Sequence, residues 1–238
     1  MNTQNAANSL ERRIRPLAAA VFTAGAFYCQ AAVYNVNSVA TLVSAINSAN
    51  ASGNADTINL APGIYNLTNE LPIIAANKTI LFQGATANPA DTALRQTAAG
   101  KPILETYYDG TTNEAINDVL TFNDLAFENG QSGPDGGGAL LVGGIGCVTT
   151  VSNCFFGGNS AMHAFFGGAL ENVPDGFLNV YGSRFENNSA ANWGGAISFS
   201  HVADAGSVGG LPTSSGSAAA TPRQPRLWPG CHSLTPVQ

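Results

Sequence analysis

The chain has 238 residues, 10% of them charged, with 15 acidic against 9 basic side chains and a formal net charge of −6. Because lysine and arginine are so scarce, no basic stripe for a phosphate backbone is available, which argues against nucleic-acid binding. Apolar residues make up 45% of the chain and are diluted by 27 glycines, a composition that argues against all-helical folds. The length allows one domain with a tail.

Residues 1–31 are typical of a secretory signal peptide. Arg12, Arg13 and Arg15 form a positive stretch, an uncharged apolar run follows from Leu17 to Tyr28, and small residues then offer a cleavage site. The apolar run is shorter than the about 20 residues of a membrane-spanning helix. We therefore expect no membrane span and a secreted protein, found in the extracellular space or at the cell outer membrane surface.

Export permits disulfides, but the cysteines do not predict a set of them. Cys29 leaves with the signal peptide, and Cys147, Cys154 and Cys231 remain. An odd number of cysteines gives no closed disulfide framework.

An internal repeat is the most informative feature of the sequence. The motif Gly-Gly-Ala-aliphatic occurs three times, at spacings of 30 and 27 residues, and a phenylalanine recurs every 29 residues in step with it. In the last two copies the phenylalanine opens the pattern Phe-x-x-Asn. The repeated residues are Gly137, Gly138, Gly167, Gly168, Gly194 and Gly195, together with Phe127, Phe156, Phe185, Asn159 and Asn188.

Each copy contains short apolar runs broken by Gly, Asn and Ser, at residues 118–127, 148–156 and 177–185. Their alternation predicts strands. A single unit of this size cannot bury its own inward face, so the units are expected to stack as a β-solenoid, with equivalent residues about 4.8 Å apart. We expect the phenylalanines to form an interior column and the asparagines a corner ladder. The glycine pairs would turn the chain or pass closely under the next unit.

Residues 32–84 are predicted to form an N-terminal cap and the first strands. Strands are predicted at residues 33–36, 57–60, 64–67 and 79–82. Ser38 is placed to N-cap a helix that Gly53 and Asn54 end. The apolar face of this helix is Val39, Leu42, Val43, Ile46 and Ala49.

Residues 85–119 carry few strand signals and are predicted to be a loop excursion or an irregular unit. After Ser200 the repeat stops, and residues 201–238 hold five prolines among Ser, Ala and Gly. This composition predicts disorder. Two explanations of the tail stay open, a flexible linker and a shift of the reading frame near His201.

Two stretches of the chain resemble known families. Residues 33–84, including Asp-Thr-Ile-Asn-Leu-Ala-Pro-Gly-Ile-Tyr from Asp56 to Tyr65, resemble the start of bacterial secreted right-handed parallel β-helix proteins of the pectate-lyase-like superfamily. Residues 120–200 resemble the polymorphic outer-membrane protein repeat, although its first copy departs as Phe127-Glu128-Asn129-Gly130. The resemblance implies an all-β, right-handed parallel β-helix (solenoid) with an N-terminal capping helix, and a secreted or surface-displayed, often adhesive protein. The fold alone implies no catalysis.

Arg184 and Glu186 are the candidate catalytic residues. A lyase of this fold needs an Arg or Lys base and carboxylates that hold Ca²⁺. By alternation the two side chains face outward, as a candidate sugar-binding pair or, more simply, a surface ion pair worth under about 1 kcal/mol. Asp124, Asp135 and Asp175 are the acids that a hydrolase would cluster, but the last two lie at different phases of the repeat and are better interpreted as turns.

Trp193 is a candidate sugar-stacking ring, with core filling at a corner as the alternative. Cys154 occupies an inward position and is expected to be a buried, inert thiol. The three histidines have no partner at metal-ligand spacing, and no P-loop, nucleophile elbow or calcium repeat motif is present. We therefore expect no metal site and no cofactor.

The sequence predicts a secreted or surface-displayed β-helix that acts as an adhesin-like binding or structural module and is not an enzyme. Its candidate partners are an extracellular glycan and a protein on a host or neighbouring cell. One alternative is a polysaccharide lyase or glycoside hydrolase of the pectate-lyase-like fold. Another is a truncated, non-functional fragment of a larger autotransporter-type protein, whose open solenoid end predicts aggregation.

Overall fold

The fold is mostly β, with parallel sheets, which confirms the sequence prediction at that level. Within the described residues there is one α-helix, and every strand pairing is parallel. The predictions for residues 1–30 and for the tail lie outside the described residues. A computed structural model describes residues 31–106, 116–132, 136–162, 167–173, 176–191 and 194–199.

The first part of the chain, residues 31–106, contains helix α1 at Val39–Ala51 and a short 3-10 helix at Pro89–Asp91. Its strands are β1 (Val33–Val36), β2 (Ala55–Leu60), β3 (Gly63–Leu67), β4 (Thr79–Gly84), β5 (Thr92–Gln96) and β6 (Leu104–Glu105). The four strands predicted here are all present, and two of them begin earlier than predicted.

The second part, from residue 116 onward, contains the three repeat units, each with four strands. The strands of the first unit are β7 (Val119–Asn123), β8 (Ala126–Glu128), β9 (Gln131–Ser132) and β10 (Leu140–Gly143). Those of the second are β11 (Val148–Ser152), β12 (Phe155–Gly157), β13 (Ser160–Ala161) and β14 (Leu170–Val173). Those of the third are β15 (Phe177–Tyr181), β16 (Arg184–Glu186), β17 (Ser189–Ala190) and β18 (Ile197–Phe199).

The described strands form four parallel sheets, and each repeat unit adds one strand to each of them. Sheet 1 has the order β1-β2-β4-β7-β11-β15, and sheet 2 the order β3-β5-β8-β12-β16. Sheet 3 contains β9-β13-β17, and sheet 4 contains β6-β10-β14-β18. The register places equivalent residues side by side, so that Phe156 is paired with both Phe127 and Phe185.

Residues 85–119 contain two strands that the sequence analysis missed. Strand β5 joins sheet 2 between β3 and β8, and β6 joins sheet 4 beside β10. Strand β5 lacks apolar alternation because buried polar residues occupy its ends. Gln96, for example, is buried and donates from Nε2 to the Pro102 carbonyl at 2.9 Å. A hydrogen-bonded amide occupies a position where apolar alternation would place an apolar side chain.

Helix α1 begins as predicted. The Ser38 side chain accepts from the Thr41 N–H, and the Thr41 side chain accepts from the Ser38 N–H, which forms a capping box. The helix ends at Ala51, slightly before the predicted stop. Its buried face holds Leu42, Ile46 and Ala49, and it packs against β1, β2 and β3. The helix thereby covers apolar core at the start of sheet 1.

Five phenylalanine rings run through the core. The Phe82 and Phe122 rings stack with centroids 5.0 Å apart, and Phe122 meets Phe127 edge to face at 5.7 Å. Phe127 and Phe156 stack at 4.9 Å, and Phe156 and Phe185 at 4.6 Å. Each stacked pair contributes about 0.5–1.5 kcal/mol beyond the burial of its area. The column therefore links the first part of the chain to the repeat units.

Two corners of each unit use the left-handed backbone conformation. At the corner between sheets 1 and 2 the residues are Asp124, Asn153 and Gly182, with φ of 58°, 48° and 55°. At the corner between sheets 2 and 3, Asn129, Gly158 and Asn187 have φ of 59°, 66° and 54°. Gly, Asn and Asp tolerate this region best. The corner positions explain part of the Asn and Gly content of the repeat.

Candidate functional site

Arg184 and Glu186 both lie on the outward face of sheet 2. Strand β16 turns Phe185 inward, so its two neighbours point out. Arg184 Nε is 3.2 Å from Glu186 Oε1, and the side chains are 69% and 46% exposed. An ion pair this exposed contributes under about 1 kcal/mol because water and salt screen it.

The Arg184 guanidinium also lies over an aromatic ring. Its central carbon is 4.7 Å from the centroid of Phe155, the neighbouring outward residue on β12. The Phe155 ring in turn covers Gly157, where a Cβ would come within 2.6 Å of a ring carbon. A glycine at this position therefore lets the ring lie against the sheet. The result is a layered surface of glycine, ring and guanidinium.

A second ion pair on the same face was missed by the sequence analysis. Arg95 on β5 and Glu128 on β8 are register partners, with Arg95 Nη2 2.7 Å from Glu128 Oε2. Both side chains are partly buried, at 37% and 21% exposure. The spacing of 33 residues differs from the 29-residue repeat and hides the pair in the sequence. Each arginine of this face is thus neutralised by a glutamate.

The asparagine ladder lies at the corner between sheets 2 and 3. Asn159 is fully buried; its Oδ1 accepts from the Gly130 N–H at 2.8 Å, and its Nδ2 donates to the Phe127 carbonyl at 3.0 Å. Asn188 repeats the arrangement one unit later, where its Oδ1 accepts from the Asn159 N–H at 2.9 Å. These amides satisfy backbone groups that no strand pairing reaches.

The glycine pairs lie at the corner between sheets 3 and 4. Gly137 and Gly194 have positive φ. A Cβ at Gly138 would overlap the carbonyl oxygen of Gly168, and a Cβ at Gly168 would overlap that of Gly195. The second glycine of these two pairs is therefore required because adjacent units approach closely there. Both roles of glycine are structural.

A buried glutamate lies beside the second glycine pair. Glu171 is fully buried on β14, and its Oε2 accepts from the Gly167 N–H at 2.8 Å. Along β14 the residue alternates with Leu170 and so points away from the core column of Leu140 and Leu170, yet it is buried. The hydrogen bond assigns the carboxylate a role in fixing this corner.

The other predicted site residues fall into two groups. Asp124 lies in the corner between sheets 1 and 2, where it accepts hydrogen bonds from Gln83 at 2.7 Å and Asn153 at 2.6 Å. It therefore stabilises a turn. The remaining residues lie outside the described residues: Asp135, Asp175, Trp193, His163, His201 and His232.

The two described cysteines, Cys147 and Cys154, are free thiols in the interior. Cys154 lies in the core and contacts the Phe122 carbonyl through Sγ at 3.4 Å. Burial raises the thiol pKa of Cys154 to about 12 and that of Cys147 to about 11. A thiol with so high a pKa is protonated at neutral pH, and the thiolate that acts as a nucleophile is not formed.

The outward face of sheet 1 differs from that of sheet 2. None of the outward side chains of its six described strands is charged. Two amide pairs lie near the carboxyl ends of its strands. Asn59 Nδ2 donates to Asn35 Oδ1 at 3.1 Å, and Asn123 Nδ2 donates to Gln83 Oε1 at 3.2 Å. The most exposed apolar side chains of this face are Val33, Val119, Phe177 and Tyr181, at 60%, 42%, 58% and 47%.

Helix α1 and the 3-10 helix of the described residues lack the length and the apolar character that crossing a membrane requires. The same residues contain no group of three or more His, Cys, Asp or Glu side chains arranged to hold a metal ion.

Comparison with known proteins gave no relative. No protein family, curated protein or solved structure that was compared with the chain matches it.

Proposed function

We propose that the chain is a right-handed parallel β-helix of the pectate-lyase-like type with polymorphic outer-membrane protein repeats. The order in which the repeat units visit sheets 1 to 4 supports this fold. So does the stacking of Phe127, Phe156 and Phe185 and of Asn159 on Asn188, all at one 29-residue spacing. Parallel crossover connections are right-handed in about 98% of cases.

The protein works as a secreted or surface-displayed, adhesin-like binding or structural module. The outward face of sheet 1 is the observation that carries this proposal. All-parallel sheets are usually covered on both faces, whereas this sheet keeps exposed Val119, Phe177 and Tyr181 on one face. Exposed apolar side chains grouped on a regular surface are typical of an interaction site. The candidate partners are an extracellular glycan and a protein on a host or neighbouring cell.

Binding by the full chain tests the proposal. The chain is expressed with its signal-peptide region in a bacterial host, and the folded product is incubated with immobilised glycans and with intact cells. We expect saturable binding without release of soluble product from the bound polymer. A folded protein, by circular dichroism, that binds neither glycans nor cells would remove the binding function.

A polysaccharide lyase is the second candidate, because Arg184 is exposed beside Glu186. A lyase releases unsaturated uronides, whose absorbance is followed during incubation with polygalacturonate and Ca²⁺. Under the binding proposal the wild-type chain gives no increase in absorbance. The lyase would be established instead if the wild-type chain turned over polygalacturonate, the Arg184→Ala variant did not, and the Arg95→Ala variant still did. Arg95 is the matched control because it is the other paired arginine on the same face.

A further inference from the structure

The two exposed aromatic rings of sheet 1 lie on one strand. Phe177 and Tyr181 both point outward from β15 and are 58% and 47% exposed. Their Cα atoms are four residues apart, which corresponds to about 13 Å at the usual rise of a strand. The equivalent outward positions on β11 are Val148 and Ser152. The paired rings are therefore a feature of β15 and are not imposed by the repeat.

Polar groups occupy the surface between the rings. Asn179 lies midway between them on the same face, and its Nδ2 makes a long hydrogen bond of 3.5 Å to Thr150 Oγ1 on β11. Both residues are half-buried, so their side chains are held at the level of the sheet. This arrangement offers amide and hydroxyl groups between two apolar platforms.

The absence of charge on this face selects the class of ligand. None of the outward side chains of the six described strands of sheet 1 is ionised, and the protein as a whole has a net charge of −6. A polyanion would be repelled by the net charge and would find no cation on the face. A neutral polymer is not repelled by the net charge and needs no cation on the face.

We propose that the outward face of β15 and β11 binds a neutral polysaccharide, with its chain along the strand and sugar rings stacked on Phe177 and Tyr181. A sugar ring has an apolar C–H face, which packs on the electron-rich face of an aromatic ring. Its hydroxyl rim then meets Asn179 and Thr150. This inference rests on the proposed binding function and adds the surface and the ligand class.

Affinity measurements with the full chain test the inference. The probes are soluble mixed-linkage β-glucan, xylan and galactomannan, with polygalacturonate as the charged comparison. We expect at least one neutral polymer to bind and polygalacturonate not to bind. Phe177→Ala and Tyr181→Ala are each expected to weaken binding by about tenfold, and Tyr181→Phe to retain it because the ring remains.

Ile64→Ala is the matched control, since Ile64 is 53% exposed on the outward face of sheet 2. It is expected to leave the affinity unchanged, and circular dichroism checks the fold of each variant. Neutral-polymer binding that persists in Phe177→Ala and Tyr181→Ala would overturn this surface and leave the proposed function standing. Binding to cells or to polygalacturonate, without binding to any neutral polymer, would have the same consequence.

Two further outcomes separate the two proposals. In the first, the chain binds no polysaccharide but self-associates in light scattering, and Phe177→Ala abolishes the self-association. This result would identify the face as a contact between copies and overturn the inference. A folded chain that binds neither polymers nor cells would overturn both the inference and the proposed function.

Discussion

The first part of the chain and the repeat units share sheets 1, 2 and 4 but build them with different chain spacings. In the repeat units, sheet 1 partners lie 29 residues apart, whereas they lie 24 residues apart at its start and 40 residues apart at the junction. The ring stacking across the junction, at 5.0 Å for Phe82 and Phe122, is nearly the same as that within the repeat units, at 4.9 Å for Phe127 and Phe156. Extra residues are placed in the connections between strands, so the inward side chains, and not the period, define the stack.

Truncation of a ring tests whether the two parts contribute equally to the core. Phe156→Ala removes a fully buried ring that stacks on two others, and we expect a loss of about 3–5 kcal/mol in the free energy of unfolding. Phe82 stacks on one ring, so Phe82→Ala is expected to cost about 1 kcal/mol less. Urea unfolding followed by circular dichroism measures both variants. A larger loss for Phe82→Ala would contradict the continuous column.

The pH dependence of stability that Asp118 contributes tests the junction between the two parts. Asp118 immediately precedes β7, is 1% exposed, and accepts from the Lys78 N–H at 2.8 Å across the 40-residue spacing. Its Oδ2 has no hydrogen-bond partner among the described residues. Burial raises the pKa of Asp118 to about 6, against the opposing effect of the Lys78 N–H. The unfolded value is about 4.

This pKa difference predicts the sign of a pH dependence. The folded state holds the Asp118 proton more tightly than the unfolded state, so this contribution to stability is complete below pH 4 and is lost as the pH rises through 6. The expected loss is on the order of 2–3 kcal/mol. Urea unfolding of the wild type and of Asp118→Asn at several pH values isolates it as a difference. Equal pH dependence in the two proteins would refute the assignment.

A methyl group added at a glycine distinguishes the close contacts of the repeat units from the open turns of the first part. At Gly168 a Cβ would overlap the carbonyl oxygens of Gly195 and Ser189, and we expect Gly168→Ala to cost about 1–3 kcal/mol. At Gly53 nothing lies within 4 Å of the added Cβ, so Gly53→Ala is expected to be neutral or stabilising by up to about 1 kcal/mol. Thermal unfolding compares the pair. Equal effects would show that the units do not approach as closely as described.

The same contrast explains what the sequence could predict. The helix start at Ser38 and the strand Val33–Val36 follow from local signals that residue types carry by themselves. The parallel sheets follow from the constant 29-residue spacing of Phe127, Phe156 and Phe185. Strand β5 and the Arg95–Glu128 pair could not be predicted, because a spacing of 33 residues breaks the period and a buried Gln96 breaks the alternation. Phe177 and Tyr181 were within the predicted strand, but which outward side chains remain uncovered depends on the packing of the whole chain.

The smallest expected effect concerns the two ion pairs of sheet 2. One pair lies within the last repeat unit, and the other joins the two parts of the chain. The Arg184–Glu186 pair lies within one strand of the last repeat unit, and its exposed Arg184→Ala variant should change the free energy of unfolding by less than about 0.5 kcal/mol. The Arg95–Glu128 pair joins the first part of the chain to the repeat units and is less exposed, so Arg95→Ala should cost more, about 1 kcal/mol. The difference should shrink in high salt, which screens exposed charges. If Arg184→Ala proved the costlier change in urea unfolding, the Arg184 side chain would have a partner beyond Glu186 and Phe155, and the interpretation of that pair as surface electrostatics would have to be replaced.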